Sequence, residues 1–123
     1  MEAGKNAILE KSFEFAIQII AFSELLEEKR KYVIARQLLK SGTSIGANVR
    51  EAQAAESLVD FIHKMKIAAK EADETEYWLL LCQQAKNYPD PIEMFERNHE
   101  LIKLLTSIIS KSKSKLNSPK PSP

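Results

Sequence analysis

Glycine, proline and cysteine are all scarce in this sequence. Its 123 residues include three glycines, five prolines and one cysteine, and three of the prolines lie within the last five residues. So few turn-forming residues argue against an all-β fold, which needs a turn about every 8–12 residues. The single cysteine, Cys82, excludes an intrachain disulfide framework and favours a reducing compartment.

Long apolar runs are also missing. The longest, YWLLLC at 77–82, is far shorter than the roughly 20 residues that span a bilayer. Charged residues interrupt the first part of the chain too early to leave the apolar core of a signal peptide. We therefore expect a cytoplasmic protein.

The net charge is only +1, which excludes a strongly basic nucleic-acid binder as judged from bulk charge. The charge is nevertheless uneven. Residues 97–123 carry six basic groups and one acidic group, a net +5, whereas the rest of the chain carries twelve basic and sixteen acidic groups, a net −4. A basic end of this kind can attract phosphates, or can simply be a solvated tail that keeps the protein soluble. The candidate nucleic-acid contacts are Lys103, Lys111, Lys113 and Lys115.

What the sequence has instead is a strong helical period. Apolar residues recur at steps of three and four along most of the chain, and alternation with a period of two is absent. The pattern predicts helices over about 7–29, 32–56, 58–86 and 91–111. Because the connections are short, we predict an all-α, antiparallel up-down-up-down four-helix bundle over 1–112. The Lys-, Ser- and Pro-rich segment 113–123 is predicted to be disordered.

The first helix has two apolar faces, one more than a single core requires. The first is the stripe of Phe15, Ile19, Phe22 and Leu26, and the second, well around the helix, is Phe13, Ile17 and Ile20. We interpret the second face as an interface between subunits. Two further features fit the same role: Trp78, which the pattern places away from the core, and a polar line along the second helix. That line consists of Gln37, Ser41, Ser44 and Asn48.

Two glycines lie inside the pattern of the second helix, where each costs about 1 kcal/mol of helix propensity. Gly42 and Gly46 therefore predict close packing against a neighbouring helix, with small alanines of the third helix facing them. The alternative is a break in the helix near residues 41–43.

Two motifs suggest catalysis at first sight. The run SGTSIGAN at 41–48 is rich in glycine, but a phosphate-binding loop needs a lysine and a hydroxyl after its second glycine. The carboxylate-x-x-His pairs Asp60/His63 and Glu96/His99 have the spacing of a di-metal bundle. However, the helical period turns His63 outward and leaves Glu96 on the shoulder of its helix. We predict no metal site and no cofactor.

Other reactive groups give no stronger signal. Cys82 lies in an apolar run without a cationic partner, which is typical of an inert thiol. Glu76 falls within the core stripe of the third helix, so its carboxylate must pair, with Arg36 or Arg50 as candidates, or must reach a shared cavity. We expect a protein that is not an enzyme.

Four stretches resemble one bacterial family: KSFxFA at 11–16, QLLxSGTSIGANVREA at 37–52, DFIHK at 60–64 and KEAxETEYWL at 70–79. The family consists of four-helix-bundle proteins first noticed as products of intervening sequences in large-subunit ribosomal RNA genes. The resemblance implies an antiparallel bundle that assembles as a ring-like homopentamer. The accessory subunit of diversity-generating retroelements is similar in fold, and it works with a reverse transcriptase and RNA through a basic surface.

Most members of that family have no assigned activity, so two functions remain open. The first is a non-enzymatic homopentameric adaptor that binds RNA, DNA or a nucleic-acid enzyme such as a reverse transcriptase through its Lys-rich end. The alternative is a protein-binding oligomeric scaffold with no nucleic-acid role. The near-neutral charge differs from that of the retroelement subunits, so strong RNA binding requires several copies of the basic end to converge.

Overall fold

The computed structural model describes residues 3–118, which form four helices and no strand. The helices are α1 (Ala3–Glu28), α2 (Tyr32–Ala52), α3 (Leu58–Gln84) and α4 (Ile92–Leu116). Each helix packs on its neighbours in sequence, and α1 also packs on α4, which closes the ring of four. Because the connections are short, successive helices run antiparallel. The predicted all-α, up-down-up-down four-helix bundle is confirmed.

One face of each helix forms the core. From the predicted stripe of α1, Phe15, Ile19 and Leu26 are buried, and Phe22 packs half-buried against them. The other three helices contribute, among others, Leu38, Ile45, Val49, Met65, Ala72, Leu79, Leu101 and Leu105. A single continuous core therefore lies along the bundle axis.

The helix ends differ from the predicted ones. α1 begins at Ala3 rather than near residue 7, α2 ends at Ala52 rather than 56, and α3 ends at Gln84 rather than 86. Beyond α2, the Gln53, Ala54 and Ala55 amides each donate to a carbonyl three residues back, at 3.1 Å. This tighter turn ends the α-helix earlier than the apolar pattern indicates.

α4 continues to Leu116, so the expectation that residues 113–123 are disordered is wrong for its first four residues. Ser112 is buried, which keeps the last turns against the bundle. Lys113 and Lys115 lie in the last turn, where cations interact favourably with the helix dipole. Residues 119–123 of the predicted tail lie outside the described residues.

Side-chain hydrogen bonds mark the starts of α3 and α4. Ser57 caps α3, because its Oγ accepts from the Asp60 amide at 3.0 Å, and Asp60 Oδ2 accepts from the Glu56 amide at 3.3 Å. For α4 we predicted a start at about residue 91. The helix instead begins at Ile92, whose amide donates to Asp90 Oδ1 at 3.0 Å.

Candidate assembly and nucleic-acid surfaces

The second apolar face of α1 lies on the surface of the bundle. Phe13 is 63% exposed, Ile17 53% and Ile20 44%. At about 100° per residue, these three side chains lie together on a side of the helix well away from the core residues. We call them the α1 apolar stripe. None of the described residues covers this stripe, and its role as an interface between subunits stays a prediction.

A groove of about 440 Å³ runs beside the α1 apolar stripe, between α1 and α2. Phe13 forms one of its walls, and the other lining residues are Leu9, Glu10, Ser12, Ala16, Thr43, Gly46, Ala47 and Arg50. Because the stripe and the groove share Phe13, they form one continuous, mainly apolar surface. Sequence reasoning missed the groove, since its α2 side is made of small residues that no apolar pattern marks.

The two glycines of α2 lie against α1, not against the alanines of α3 as we predicted. A Cβ atom at Gly42 would lie 2.8 Å from Ile19 Cγ2, and one at Gly46 would lie 3.2 Å from the Ser12 carbonyl oxygen. α2 is continuous through both positions, so the alternative of a break near 41–43 is wrong. The backbone amides of 41–48 are used within the helix, which excludes a phosphate-binding loop there.

The polar line of α2 is mostly satisfied inside the chain. Ser41 is fully buried, and its hydroxyl is hydrogen-bonded to the Thr75 hydroxyl of α3 at 2.9 Å. Ser44 Oγ donates to the Lys40 carbonyl at 2.6 Å, and Asn48 Nδ2 donates to the Ser44 carbonyl at 2.8 Å. Gln37 is exposed. Ser41 therefore belongs to the α2–α3 contact, which corrects its place among surface residues.

The helical pattern indicated that Trp78 points away from the core. In the structure Trp78 lies at the edge of the core instead. Its ring is half-buried against the core and meets the edge of Tyr77, with centroids 5.4 Å apart. Its indole Nε1 is buried and has no hydrogen-bond partner among the described residues. The role of Trp78 in a subunit interface stays a prediction.

The structure places each of the ionisable groups that the sequence singled out. Glu76 pairs with His99 of α4, with Oε2 3.6 Å from Nε2, and not with Arg36 or Arg50 as we expected. His63 is exposed, as the helical period indicates. Within residues 3–118, no three His, Cys, Asp or Glu side chains converge in a way that could hold a metal ion. Cys82 is buried, and burial raises the pKa of its thiol to about 11.

The basic residues near the end of the chain lie along the C-terminal part of α4. Lys103, Lys111, Lys113 and Lys115 are all exposed, and none forms an ion pair with another described residue. No aspartate or glutamate follows Glu100, whereas exposed hydroxyl residues occur throughout this part of α4. These hydroxyl residues are Thr106, Ser107, Ser110 and Ser114.

The four lysines do not point in one direction. From the helical period, Lys103 faces outward, Lys113 lies toward α3, and Lys111 and Lys115 lie toward α1. Lys66 of α3, which sequence reasoning missed, joins them. Its pKa is lowered because the Lys113 amine lies within hydrogen-bonding reach and repels its positive charge. The lysines therefore surround the end of α4, and we call Lys66, Lys103, Lys111, Lys113 and Lys115 the basic end.

Fold and surfaces together define a class: a four-helix bundle with an unpartnered apolar face and one basic end. Residues 4–111 match the family of 23S rRNA-intervening sequence proteins, and the chain belongs to that family. It is similar to a protein of unknown function from the S23 ribosomal protein family of Bacteroides thetaiotaomicron, known from a crystal structure. The two chains are 44% identical, with a TM-score of 0.82, over 87% of this chain and 98% of the other.

Neither the family nor this relative has an assigned function, and no curated protein matches the chain. The resemblance found in the sequence is thus confirmed at the level of family and fold. Among the described helices, none has the length and apolarity needed to cross a membrane.

Proposed function

We propose that this protein is a non-enzymatic, self-assembling adaptor, a homopentamer that binds nucleic acid or a nucleic-acid enzyme such as a reverse transcriptase. The exposure of the α1 apolar stripe is the observation that carries the assembly. The number five comes from the resemblance to the ring-forming bundle proteins and the retroelement accessory subunits.

Assembly is supported by the amount of apolar surface that one chain leaves open. Burying a Phe or Ile side chain completely stabilises a structure by about 1.5–3 kcal/mol. Phe13 and Ile17 each expose more than half of their surface, and the groove beside them adds further apolar area. A contiguous patch of this kind, rimmed by polar residues such as Glu10 and Arg50, is typical of a protein–protein interface.

Nucleic-acid binding is supported by the basic end. Lysine amines and hydroxyls are the groups that most often contact phosphate oxygens, and beyond Lys103 no carboxylate occurs on α4. One copy offers only a few such contacts. Several copies in one ring bind the same strand at a high effective concentration, so affinity grows without any new kind of contact.

The assembly is tested by placing a charge in the α1 apolar stripe. We expect Phe13→Glu and Ile17→Glu to dissociate the oligomer, because a carboxylate buried without a partner is strongly unfavourable. Val59→Glu is the matched control, since Val59 is a 60% exposed apolar residue on α3. Light scattering coupled to size exclusion measures the mass. Unchanged masses for both stripe variants would refute the interface.

The nucleic-acid role is tested by removing the charge of the basic end. We expect the triple variant Lys111→Gln, Lys113→Gln, Lys115→Gln to bind a fluorescent single-stranded RNA more weakly, with a flatter salt dependence between about 50 and 200 mM salt. The control triple variant, Lys29→Gln, Lys40→Gln, Lys86→Gln, removes the same charge elsewhere. Equal affinities and slopes for wild type and both variants would refute the electrostatic role.

The second candidate function is an oligomeric scaffold for another protein. Exposed apolar side chains outside the α1 apolar stripe favour it, notably Tyr77, Leu80 and Ile92. It predicts that a specific protein partner stays bound in pull-downs after nuclease treatment. Loss of every partner on nuclease treatment would contradict it.

A further inference from the structure

We infer that the outward face of α4 holds an unpaired nucleobase against the Phe95–His99 ring pair, and that this pocket prefers a base with an exocyclic amino group. The inference rests on the proposed binding of nucleic acid, and it specifies single strands over duplexes. It concerns a part of α4 that meets the basic end only at Lys103.

Phe95 and His99 form a small aromatic platform. Their rings are stacked, with centroids 5.3 Å apart and planes 22° from parallel. Half of the His99 side chain is exposed, while its Nε2 lies 3.6 Å from Glu76 Oε2. The imidazole therefore lies close to a carboxylate and a neighbouring ring, and about half of the side chain remains open to solvent.

The platform lies in an open depression of about 450 Å³. Phe95 and His99 line it together with Glu96, Glu100 and Lys103. An aromatic surface and a cation one turn away are two of the features that proteins combine to bind single strands. Bases stack on the rings while the backbone follows the positive charge. In a duplex the faces of the bases are already covered by stacking, so the platform selects unpaired bases.

The carboxylates of the depression decide which bases fit. An ionised carboxylate only accepts hydrogen bonds, as Asp and Glu do from the amino group of cytosine. Glu100 is committed to Lys11 across the α1–α4 contact. Glu96 is exposed and has no ion-pair partner among the described residues. Glu96 is therefore the acceptor for an adenine, cytosine or guanine amino group, which uracil and thymine lack.

The lysines of the basic end then hold the backbone of the same strand. Lys103 lies one turn beyond His99, and Lys113 lies further along α4. At 1.5 Å per residue the path from residue 99 to residue 113 is about 21 Å long. This distance corresponds to about six stacked nucleotides at about 3.4 Å each.

The test uses the full chain and labelled oligonucleotides of about eight nucleotides, a length that covers this path. The probes are oligo(A), oligo(U), an abasic strand and a hairpin duplex, compared by fluorescence anisotropy. We expect oligo(A) to bind about tenfold more tightly than the abasic strand or the duplex, from base–aromatic stacking. The fluorescence of 2-aminopurine placed in the strand should be quenched on binding.

Substitutions assign the effect to residues. His99→Ala should weaken oligo(A) binding about tenfold and abolish the quenching, whereas His99→Phe should retain both. Glu96→Gln should remove the preference of oligo(A) over oligo(U), because an amide both donates and accepts. Val33→Ala, an exposed substitution on α2, is the control and should bind like wild type.

The outcomes separate this inference from the proposed function. The platform is refuted, and the adaptor proposal stands, if three results occur together. His99→Ala binds oligo(A) as tightly as the wild type does, and the wild type binds the abasic strand as tightly as oligo(A). The Lys111, Lys113 and Lys115 triple variant, in contrast, binds weakly. If the wild-type protein binds none of the probes, this inference and direct binding of nucleic acid are both refuted, and the depression is left to a protein partner. His99 is exposed, so replacing it should not disturb the core. Circular dichroism should therefore show that every variant is folded.

Discussion

At the level of single residues, the close contact between α1 and α2 depends on a glycine, which has no side chain. Gly42 lies on the buried face of α2, where a Cβ atom would come within 2.8 and 2.9 Å of the two γ carbons of Ile19. Ile19 is fully buried and branched at Cβ, so it cannot swing aside. The loss of helix propensity at Gly42, about 1 kcal/mol, is offset by the contact it permits between α1 and α2.

We predict that Gly42→Ala destabilises the protein by about 1–2 kcal/mol, because overpacking costs more than helix propensity returns. In an Ile19→Ala background, which removes the opposing γ carbons, the same substitution should instead be stabilising. Chemical denaturation of the four proteins at one protein concentration measures this double-mutant cycle. Equal effects of Gly42→Ala in both backgrounds would show that Ile19 is not the cause.

A second residue-level prediction concerns pH. Burial raises the pKa of the Cys82 thiol from 9.0 to about 11. The unfolded chain releases this proton at a lower pH than the folded chain, so stability should fall as the pH rises from about 9 to about 11. Cys82→Ala should lack this component, and the difference between the two denaturation curves measures it. At about pH 8 the native thiol should react slowly with a disulfide reagent and the unfolded thiol quickly.

At the level of the elements, the turn between α1 and α2 contains a strained residue. Arg30 adopts a positive φ of 63°. Its amide donates to the Glu27 carbonyl and the Lys31 amide donates to the Leu26 carbonyl, both at 2.8 Å. This hydrogen-bond pattern is a Schellman motif, in which glycine is the favoured residue at the position that Arg30 occupies.

We predict that Arg30→Gly stabilises the protein by about 0.5–1 kcal/mol, since glycine adopts this conformation without the steric cost of a Cβ atom. Glu24→Gly, six residues earlier and inside α1, is the control and should destabilise by a similar amount. Thermal denaturation under identical conditions compares the two. A destabilising Arg30→Gly would indicate that the arginine side chain makes a stabilising contact.

The contacts that could not be predicted from the sequence are contacts between helices, so they also belong to this level. Burial periodicity belongs to a single helix, so the sequence alone predicted four helices, the core stripe of α1 and the exposed Phe13. Contacts between helices depend on which faces meet. For this reason Glu76 was assigned to an arginine and not to His99, and Gly42 was assigned to α3 and not to α1. The Phe95–His99 pair has the i, i+4 spacing that would have marked it.

At the level of the whole molecule, the antiparallel topology sets the direction in which the surfaces point. The C-terminal end of α4 lies at the same end of the bundle as the start of α1 and the α2–α3 connection. The basic end is thus at one end of the molecule, while the α1 apolar stripe runs along its side. Subunits that associate through their sides would present all copies of the basic end in the same direction, which suits a shared, extended anionic partner.

The proposed side-to-side association would also couple folding to assembly. Because such an oligomer would bind only folded subunits, mass action should raise the melting temperature of the wild-type protein as its concentration increases from about 1 to 100 µM. Phe13→Glu should melt lower and at the same temperature at every concentration, since it has no partner to bind. Val59→Glu should keep the concentration dependence. If the melting temperature of the wild type does not change over this range, and Phe13→Glu melts no lower, the α1 apolar stripe is a stable solvent-exposed surface of a monomer.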